Sequence, residues 1–233
     1  MCRALTRIFI SLQQATFNKI NMIKIQKFVF NSFMVNTYLL YDETGECIII
    51  DAACYDPEEQ EALKDFIGTN NLTLVRNLNT HCHIDHVLGN GFIARTYGIY
   101  PEYHKNSVPF FQTVHEISAS FGYTMDQVPE PKRFLVASEL IQWGSSELKV
   151  LFTPGHAEGS VCFYNEPQGF VITGDVLFKD TIGRTDLPTG DFDQLMVSIK
   201  SKLFTLPDST VVLPGHGPET SIGYEKVNNP FIR

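Results

Sequence analysis

The chain has 233 residues, of which 43% are hydrophobic and 19% are charged, a composition that excludes a disordered or fibrous protein. Eighteen basic residues against 26 acidic ones give a formal charge of −8, which argues against a surface that binds nucleic-acid phosphates. No apolar run approaches the ~20 residues that span a bilayer, so neither nucleic acid nor a membrane is an expected partner.

The N-terminal segment 1–21 is basic, with Arg3, Arg7 and Lys19 and no acidic residue. Its apolar stretches are too short for a secretory signal, so it is interpreted as an extension ahead of the globular domain. An organelle-targeting presequence and a start at Met22 are the alternatives. Residues 22–233 contain no linker, repeat or low-complexity tract, which indicates one domain.

The five cysteines are an odd, scattered set without a CxxC pair. They are Cys2, Cys47, Cys54, Cys82 and Cys162. This pattern favours a reducing, cytoplasmic compartment over a disulfide framework.

The first half of the domain is predicted to alternate strands with helices. The turn 43–45 leads into the continuously apolar run 47–50, which is typical of a strand buried on both faces. Asp56 and Pro57, followed by two acidic residues, indicate the start of a helix that ends at Gly68. The predicted strands of this half are 23–30, 37–41, 47–50, 72–78 and 99–100. The other predicted helices are 87–97 and 106–121, and a surface loop follows at 122–132.

The second half is predicted to be richer in strands and to hold one helix, at 193–204. Its predicted strands are 139–143, 147–152, 160–164, 170–173 and 210–213. Strand-rich blocks at both ends, each interleaved with helices, predict an α/β (α+β) domain in which two sheets pack face to face. Helices are expected to cover the outer faces.

The densest group of chemically active residues is the segment 80–86, THCHIDH, which follows the predicted strand 72–78. His81, His83 and His86 with Asp85 form a metal-ligand set that suits zinc or iron. His81 and His83 can point the same way from an extended backbone, while Asp85 and His86 can point to a second centre as the chain turns. Cys82 then points away from His81 and His83, so packing is its expected role.

Three further motifs follow predicted strands or apolar runs. They place His156 in PGH, Asp175 in TGD and His216 in PGHG. Each alone is weak evidence, because such residues commonly form turns or caps. Together they bring three potential metal ligands to the ends of strands, where sites are commonly built.

In this order the motifs HxHxDH, PGH, GD and GHG resemble the metallo-β-lactamase fold superfamily. The stretches 183–191 (GRTDLPTGD) and 214–223 (PGHGPETSIG) are similar to the compact glyoxalase II-like (hydroxyacylglutathione hydrolase-like) hydrolases. The resemblance covers residues 23–233. It implies a single-domain, four-layered αβ/βα sandwich with metal ions at one edge.

The resemblance also implies two divalent metal ions, with zinc as the first expectation and iron or manganese as the alternatives. It assigns His81, His83 and His156 to one ion and Asp85, His86 and His216 to the other, with Asp175 bridging them. Asp51 matches an aspartate that supports the ligand loop, where it would accept a ring N–H and fix a ligand tautomer. The alternative for Asp51 is a turn residue at a strand end.

The implied function is that of a thioesterase acting on a small-molecule substrate, S-(2-hydroxyacyl)glutathione or a related thioester. A water that bridges the two metals would lose a proton near neutral pH and attack the carbonyl, which makes Asp85 and Asp175 catalytic as well as ligand residues. Arg184 matches a basic residue that contacts the glutathione moiety, and a solvated loop arginine is its alternative interpretation. Larger enzymes of this group add a C-terminal helical domain with further glutathione contacts, so the thiol carrier stays open.

Other activities on the same scaffold remain as alternatives. A persulfide dioxygenase would hold one iron with His81, His156 and Asp175, whereas the second set of potential ligands favours hydrolysis. A lactonase or β-lactamase would use the same metals, but the stretch 183–191 is more similar to the glyoxalase-like group. A non-enzymatic module stabilised by metal would have a closed site of four ligands, typically rich in cysteine.

Overall fold

Two six-stranded sheets pack face to face and carry helices on their outer surfaces. The structure, a computed structural model, describes residues 22–125 and 130–232. The four-layered αβ/βα sandwich expected from the sequence is thereby confirmed. The interpretations of segment 1–21 lie outside the described residues. Within the described ranges, no helix has the length and apolar character needed to cross a membrane.

The first sheet has the strand order β1–β2–β3–β4–β5–β6. Its strands are β1 (Lys24–Phe30), β2 (Val35–Tyr41), β3 (Glu46–Ile50), β4 (Thr73–Leu78), β5 (Pro101–His104) and β6 (Phe134–Leu135). The first three strands pair antiparallel, and β3 to β6 run parallel.

The second sheet has the order β14–β13–β10–β9–β8–β7. Its strands are β7 (Leu140–Trp143), β8 (Ser146–Phe152), β9 (Val161–Asn165), β10 (Phe170–Gly174), β13 (Val211–Pro214) and β14 (Thr220–Ser221). A short hairpin of β11 (Leu177–Phe178) and β12 (Thr181–Ile182) follows β10. The strands β8, β10 and β13 point in the same direction, because β9 is antiparallel to both β8 and β10 and β13 is parallel to β10.

The apolar run in β3 shows why the central strands are hydrophobic on both faces. Ile48 and Ile50 pack in the core between the two sheets, while Cys47 and Ile49 pack on the outer side with Leu63 of a covering helix. Successive side chains of a strand alternate between its faces, so a strand covered on both sides needs apolar residues at every position. The prediction for 47–50 is therefore confirmed.

The helices are α1 (Pro57–Thr69), α2 (Ile84–Val87), α3 (Asn90–Tyr97), α4 (Val108–Ser120), α5 (Phe192–Ser198) and α6 (Ile222–Asn228). The prediction of a single helix at 87–97 is wrong. A first helical turn begins at Ile84 inside the histidine motif, and a second helix begins at Asn90. Gly89 lies between them, and a Cβ there would come within 2.7 Å of the Ala52 carbonyl. The chain must pass close to the end of β3 at this point, which interrupts the helix.

Other predicted boundaries also differ from the structure. Helix α1 passes through Gly68 and ends at Thr69, and the strand predicted at 99–100 lies at Pro101–His104 instead. The helix predicted at 193–204 is α5 followed by a π-helical turn, Ile199–Leu203. The strand predicted at 210–213 is not the last element, because β14 and α6 follow it. A two-residue strand and a seven-residue helix are too short to give a clear periodic signal.

Five strands point their carboxyl ends at one edge of the sandwich. These strands are β3, β4, β8, β10 and β13. Val161 donates its backbone N–H to the Thr80 carbonyl (2.8 Å) and Asn36 donates to the Gly215 carbonyl (2.7 Å), which joins the two sheets at this edge. The segments that follow these five strands therefore meet.

Candidate metal centre

The segments that follow these strands carry all seven residues predicted as ligands. His81, His83, Asp85 and His86 follow β4, and the last two lie on the single turn of α2. His156 follows β8, Asp175 follows β10 directly, and His216 follows β13. The structure brings these side chains together although they are spread over more than 130 positions of the chain.

Three overlapping groups of these side chains could each hold a cation. They are His81, His83 and His156; Asp85, His86 and His216; and His81, His86 and Asp175. In each group the potential ligand atoms lie within 4.8 Å of one another. Asp175 reaches both sides of the cluster, since its carboxylate lies 3.7 Å from Nε2 of His156 and 3.6 Å from Nε2 of His216.

The cluster contains buried polar atoms without a hydrogen-bond partner. They are Nε2 of His81, His83, His86 and His156 and Oδ1 of Asp175. Leaving a buried polar group unpaired costs about 1–3 kcal/mol each, so five in one place indicate a missing partner. Imidazole nitrogens and carboxylate oxygens are ligands of zinc, iron and manganese. The residues present therefore fit divalent metal.

In four of the histidines the other ring nitrogen, Nδ1, has a partner that fixes the ring. Three of these partners are carboxylate or carbonyl oxygens. Nδ1 of His86 lies 3.0 Å from Oδ2 of Asp51, and Nδ1 of His156 lies 2.8 Å from the Arg184 carbonyl. Nδ1 of His216 lies 3.0 Å from the Phe33 carbonyl. Because these acceptors cannot donate, each Nδ1 carries a proton and Nε2 is the ring nitrogen that faces the cluster.

Asp51 extends this control to a further histidine through Thr80. Its carboxylate accepts from the Thr80 backbone N–H and from the Thr80 hydroxyl, both at 2.7 Å. With its proton committed to Asp51, the hydroxyl oxygen can only accept from Nδ1 of His81, which lies 3.0 Å away. Asp51 thus orients one histidine directly and one indirectly, in a left-handed backbone conformation (φ 53°).

Burial and charge act in opposite directions on the ionisable groups. Burial lowers the pKa of His83 to about 3 and that of His81 well below its usual value, so both stay neutral at pH 7. Burial also opposes charge on His86, but Asp85, Asp175 and Asp51 outweigh it and raise its pKa well above the ordinary value. Burial by itself would raise the pKa of Asp175, yet His86 lowers it below the usual range. The centre therefore offers ionised carboxylates and, in His81 and His83, neutral imidazoles, whereas His86 holds a proton that a bound cation would displace.

Glycines allow the motifs to approach one another. A Cβ on Gly215 would lie 2.2 Å from Oδ1 of Asp175, and a Cβ on Gly174 would lie 2.3 Å from the Thr80 hydroxyl. Real Cβ contacts are never this short, so both positions require glycine. This explains why the motifs read GD and GH in the sequence.

The cluster opens into a cavity of about 370 Å³, within the usual range for small-molecule sites. His83, Asp85, His156, Asp175 and His216 reach its surface. The walls are mainly apolar and come from the β1–β2 turn, from α4 and from the loop after β12. The apolar residues of these walls are Phe33, Phe110, Val114, Ile117, Phe121, Leu187 and Pro188.

Arg184 lies on the rim of this cavity but is already paired. Its Nε and Nη2 contact the two carboxylate oxygens of Asp186 at 2.7 and 2.8 Å. Both side chains are exposed. Its backbone carbonyl, rather than its charge, is what touches the cluster, through His156.

The structure also shows contacts that the sequence analysis missed. Thr80 and the Phe33 carbonyl both hold ligand histidines, and Asn31 donates from Nδ2 to the carbonyls of Ala53 and Asp85 (3.1 and 3.0 Å). The threonine directly before HxHxDH is a signal that could have been used. The contacts of Phe33 and Asn31 join distant segments, and no local pattern reveals them.

The four cysteines among the described residues are buried and unpaired, in agreement with the prediction of no disulfide framework. Cys82 packs with Ile84, Val87 and Tyr103, and burial raises the pKa of its thiol well above the usual range. The interpretation of Cys82 as a packing residue is consistent with this environment.

A family model of the metallo-beta-lactamase superfamily matches residues 31–216, most of the chain. The chain belongs to this superfamily. The resemblance noted in the sequence is thereby confirmed, together with the fold that it implied. Two relatives, from Bacillus subtilis and Streptococcus pyogenes, are each 34% identical to this chain and are described as probable metallo-hydrolases. At the level of reaction class, this chain is accordingly a metallo-hydrolase.

Three comparisons bear on the finer function. A protein of Haemophilus influenzae described as hydroxyacylglutathione hydrolase GloC is 33% identical over 86% of this chain and 94% of its own length. The crystal structure of BLEG-1 B3 metallo-beta-lactamase has a TM-score of 0.82 at 31% identity and covers 90% of this chain and 99% of its own. The structure of TTHA1623 in a di-iron-bound form has a TM-score of 0.79 at 32% identity and covers 88% of this chain and 99% of its own.

Proposed function

We propose that this metallo-β-lactamase superfamily chain is a glyoxalase II-like thioesterase that hydrolyses S-(2-hydroxyacyl)glutathione or a related thioester. The observation that carries the proposal is the convergence of unpartnered Nε2 atoms and Asp175 on the floor of an apolar cavity. The similarity to a hydroxyacylglutathione hydrolase supports the thioester as the substrate class. No nucleic-acid or membrane partner is part of the proposal.

Two divalent cations complete the proposed site. His81, His83 and His156 would hold the first, Asp85, His86 and His216 the second, and Asp175 would reach both. The di-iron-bound structure of a 32% identical protein supports two ions on this fold, with zinc as the first candidate and iron or manganese as the alternatives. When bound, such ions polarise a carbonyl oxygen and make a water nucleophilic near neutral pH.

The chain's own residues supply orientation and environment. Asp51, the Arg184 carbonyl and the Phe33 carbonyl hold His86, His156 and His216 so that their Nε2 atoms face the carboxylates of the cluster. The ionised carboxylates of Asp85 and Asp175 line the cavity and favour the binding of cations there. A thiolate is a good leaving group and needs no strong general acid, which suits a site without one.

A covalent mechanism through Cys82 is disfavoured by its surroundings. The thiol is buried, and the raised pKa keeps it protonated at neutral pH. Hydrolysis by direct attack of water is the simpler reaction for this arrangement.

The proposal is tested by measuring metal content and thioester hydrolysis on the same purified protein. We expect two equivalents of metal, release of thiol from S-lactoylglutathione, and loss of both in Asp175→Ala. His115→Ala, an exposed histidine outside the cluster, is the matched control and should change neither. A metal-loaded protein that leaves S-lactoylglutathione and other thioesters intact would refute the proposal. Oxygen uptake with glutathione persulfide by the iron-loaded form would instead support the single-iron dioxygenase.

Hydrolysis of a cyclic amide or ester is the second candidate. It is favoured by the similarity to a B3 metallo-beta-lactamase structure at 31% identity. The same cluster could act on a lactam or lactone carbonyl. A chromogenic cephalosporin and a simple lactone, assayed beside the thioester, separate the candidates by their relative kcat/KM.

A further inference from the structure

The cavity above the metal cluster has one continuous apolar wall. Phe110, Val114, Ile117 and Phe121 line it with a spacing of four, three and four residues, which places them on one face along α4 and its C-cap. The wall starts at the cluster itself, because the Phe110 ring packs edge-on against the imidazole of His83 with centroids 5.0 Å apart. A substrate that reaches the cluster therefore contacts this wall.

Phe33, in the turn between β1 and β2, extends this wall. The ring of Phe33 packs edge-on against Phe121 with centroids 5.7 Å apart, and both line the cavity. The Phe33 carbonyl accepts from His216. The ring of Phe33 thus forms part of the apolar wall, and its carbonyl orients His216.

The outer part of the wall exposes large apolar side chains to solvent. Phe121 is 57% exposed and Ile117 is 37% exposed. Exposed apolar surface beside a cluster of this kind is the usual mark of a binding surface.

Away from the candidate metal cluster, the lining of the cavity offers little to an anionic group of the substrate. Among the described residues that line it, Arg184 is the one arginine or lysine, and its guanidinium is paired in two-point contact with Asp186. A substrate carboxylate would have to compete with Asp186 for this group. An apolar group of the substrate can bind to the wall without displacing any side chain from its partner.

Building on the proposed thioesterase function, we infer that the wall formed by Phe33, Phe110, Ile117 and Phe121 selects thioesters that carry an apolar chain. The chain could belong to the acyl group or to the thiol, since both flank the carbonyl. Each methylene that leaves water should raise kcat/KM by roughly two- to fourfold. The gain should stop once the chain passes Phe121 and returns to solvent.

The test uses the metal-loaded protein with two substrate series. The first varies the acyl chain from acetyl to octanoyl on the uncharged thiol N-acetylcysteamine, and the second varies the thiol from ethyl to hexyl in acetyl thioesters. A rise with chain length in one series supports the inference and identifies which side of the carbonyl meets the wall. A flat kcat/KM in both series overturns it.

Matched variants tie the effect to the wall. Ile117→Ser and Phe121→Ser should reduce the rise in kcat/KM to less than twofold per methylene. The controls Val197→Ser and Phe231→Ser should keep the wild-type rise, because they alter comparably exposed apolar side chains outside the cavity lining. If the control variants lose the gain equally, the wall is not its source. Retained gain in Ile117→Ser and Phe121→Ser also contradicts the inference.

A binding measurement separates this inference from catalysis. Calorimetric titration with S-alkyl thioethers of N-acetylcysteamine, which cannot be hydrolysed, should show Kd tightening by the same factor per methylene and a negative heat-capacity change. Chain-independent thioether binding would count against the wall. Hydrolysis without chain dependence would leave the thioesterase proposal standing and remove only the present inference, whereas chain-dependent thioether binding without any thioester hydrolysis would do the reverse.

Discussion

Oδ2 of Asp51 lies 3.0 Å from Nδ1 of His86, and the same oxygen accepts the Thr80 hydroxyl that in turn faces His81. One buried carboxylate at the end of β3 therefore sets the ring orientation of two histidines of the candidate metal centre. Asp51 is 1% exposed, so these contacts are not weakened by water. Asp51 belongs to none of the three groups that could hold a cation, so we expect it to orient these histidines rather than to bind metal itself.

Asp51→Asn is expected to weaken metal binding by roughly 10- to 100-fold, because the amide cannot accept from Thr80 and His86 as a carboxylate does. Asparagine tolerates the left-handed backbone of this position, so the fold should persist. Competition with a chromogenic chelator measures the affinity. Asp42→Asn, in a remote turn, is the control and should leave metal affinity unchanged; equal affinity of Asp51→Asn and wild type would contradict the assigned role.

Gly215→Ala is expected to disrupt the site, because the added Cβ would lie 2.2 Å from Oδ1 of Asp175 and 2.8 Å from the His86 ring. Gly217 lies in the same loop, and a Cβ there meets nothing within 4 Å. Gly217→Ala should therefore cost only backbone strain at φ 73°. Metal content per chain should fall steeply in the first variant and stay near wild type in the second. Full metal content in Gly215→Ala would show that Asp175 can move aside.

The sequence predicts much of the candidate site because each potential ligand follows an apolar strand. Strand ends gather at one edge of a sandwich, so HxHxDH, PGH, GD and GHG could be placed together without coordinates. The positioning contacts could not be found this way. Phe33 and His216 are 183 positions apart, and the contact depends on a backbone carbonyl that any residue provides. Side-chain identity carries no information about such a contact.

The fold shows the same division. The apolar runs of β3 and β10 and the cap at Asp56 could be read from local pattern. Helix α2 could not, because its four residues are the ligand segment itself and their turn is set by the passage of Gly89 beside Ala52. Helix α6 depends on a distant contact of Glu225, which accepts from the Asp180 backbone N–H, 45 positions away.

Asn90→Ala is expected to lower the free energy of unfolding by about 2–3 kcal/mol. Asn90 is fully buried, accepts from Nδ2 of Asn77 and donates to Oδ1 of Asn79, both at 2.9 Å. Asn79 in turn donates to the His86 carbonyl, so metal affinity should fall as well. Urea denaturation of the metal-free protein measures the first effect. Asn70→Ala, at an exposed helix end, should change stability by much less.

Acid should weaken the end of the sandwich remote from the metal cluster through Asp42. Burial raises the pKa of this carboxyl, but hydrogen bonds from Thr44, Ser146 and the Ser145 backbone outweigh it and lower the pKa to about 2. A folded pKa below the unfolded value stabilises the fold above about pH 4, and this stabilisation is lost as pH falls to about 2.

The contribution of Asp42 should be about 1–2 kcal/mol, less than the full shift because the turn lies near solvent. Urea denaturation of wild type and Asp42→Asn from pH 6 to pH 2 should show a difference that is constant above about pH 4 and shrinks below it. A difference that does not depend on pH would mean that the charge of Asp42 is not what matters.

Asp186→Asn is expected to release Arg184 toward the cavity. In this variant a neutral amide replaces the carboxylate that Arg184 contacts at two points. The guanidinium therefore becomes available to a substrate carboxylate. KM for S-lactoylglutathione should fall by roughly two- to fivefold, as expected for a charge pair at an exposed site. The uncharged N-acetylcysteamine thioesters should keep their wild-type KM, because they have no carboxylate to use. The fall should disappear in high salt, which screens exposed charges, and in the double variant Arg184→Met with Asp186→Asn. If Arg184→Met alone raises KM for the glutathione thioester as strongly as Asp186→Asn lowers it, Arg184 already binds substrate while paired, and the pairing does not limit recognition.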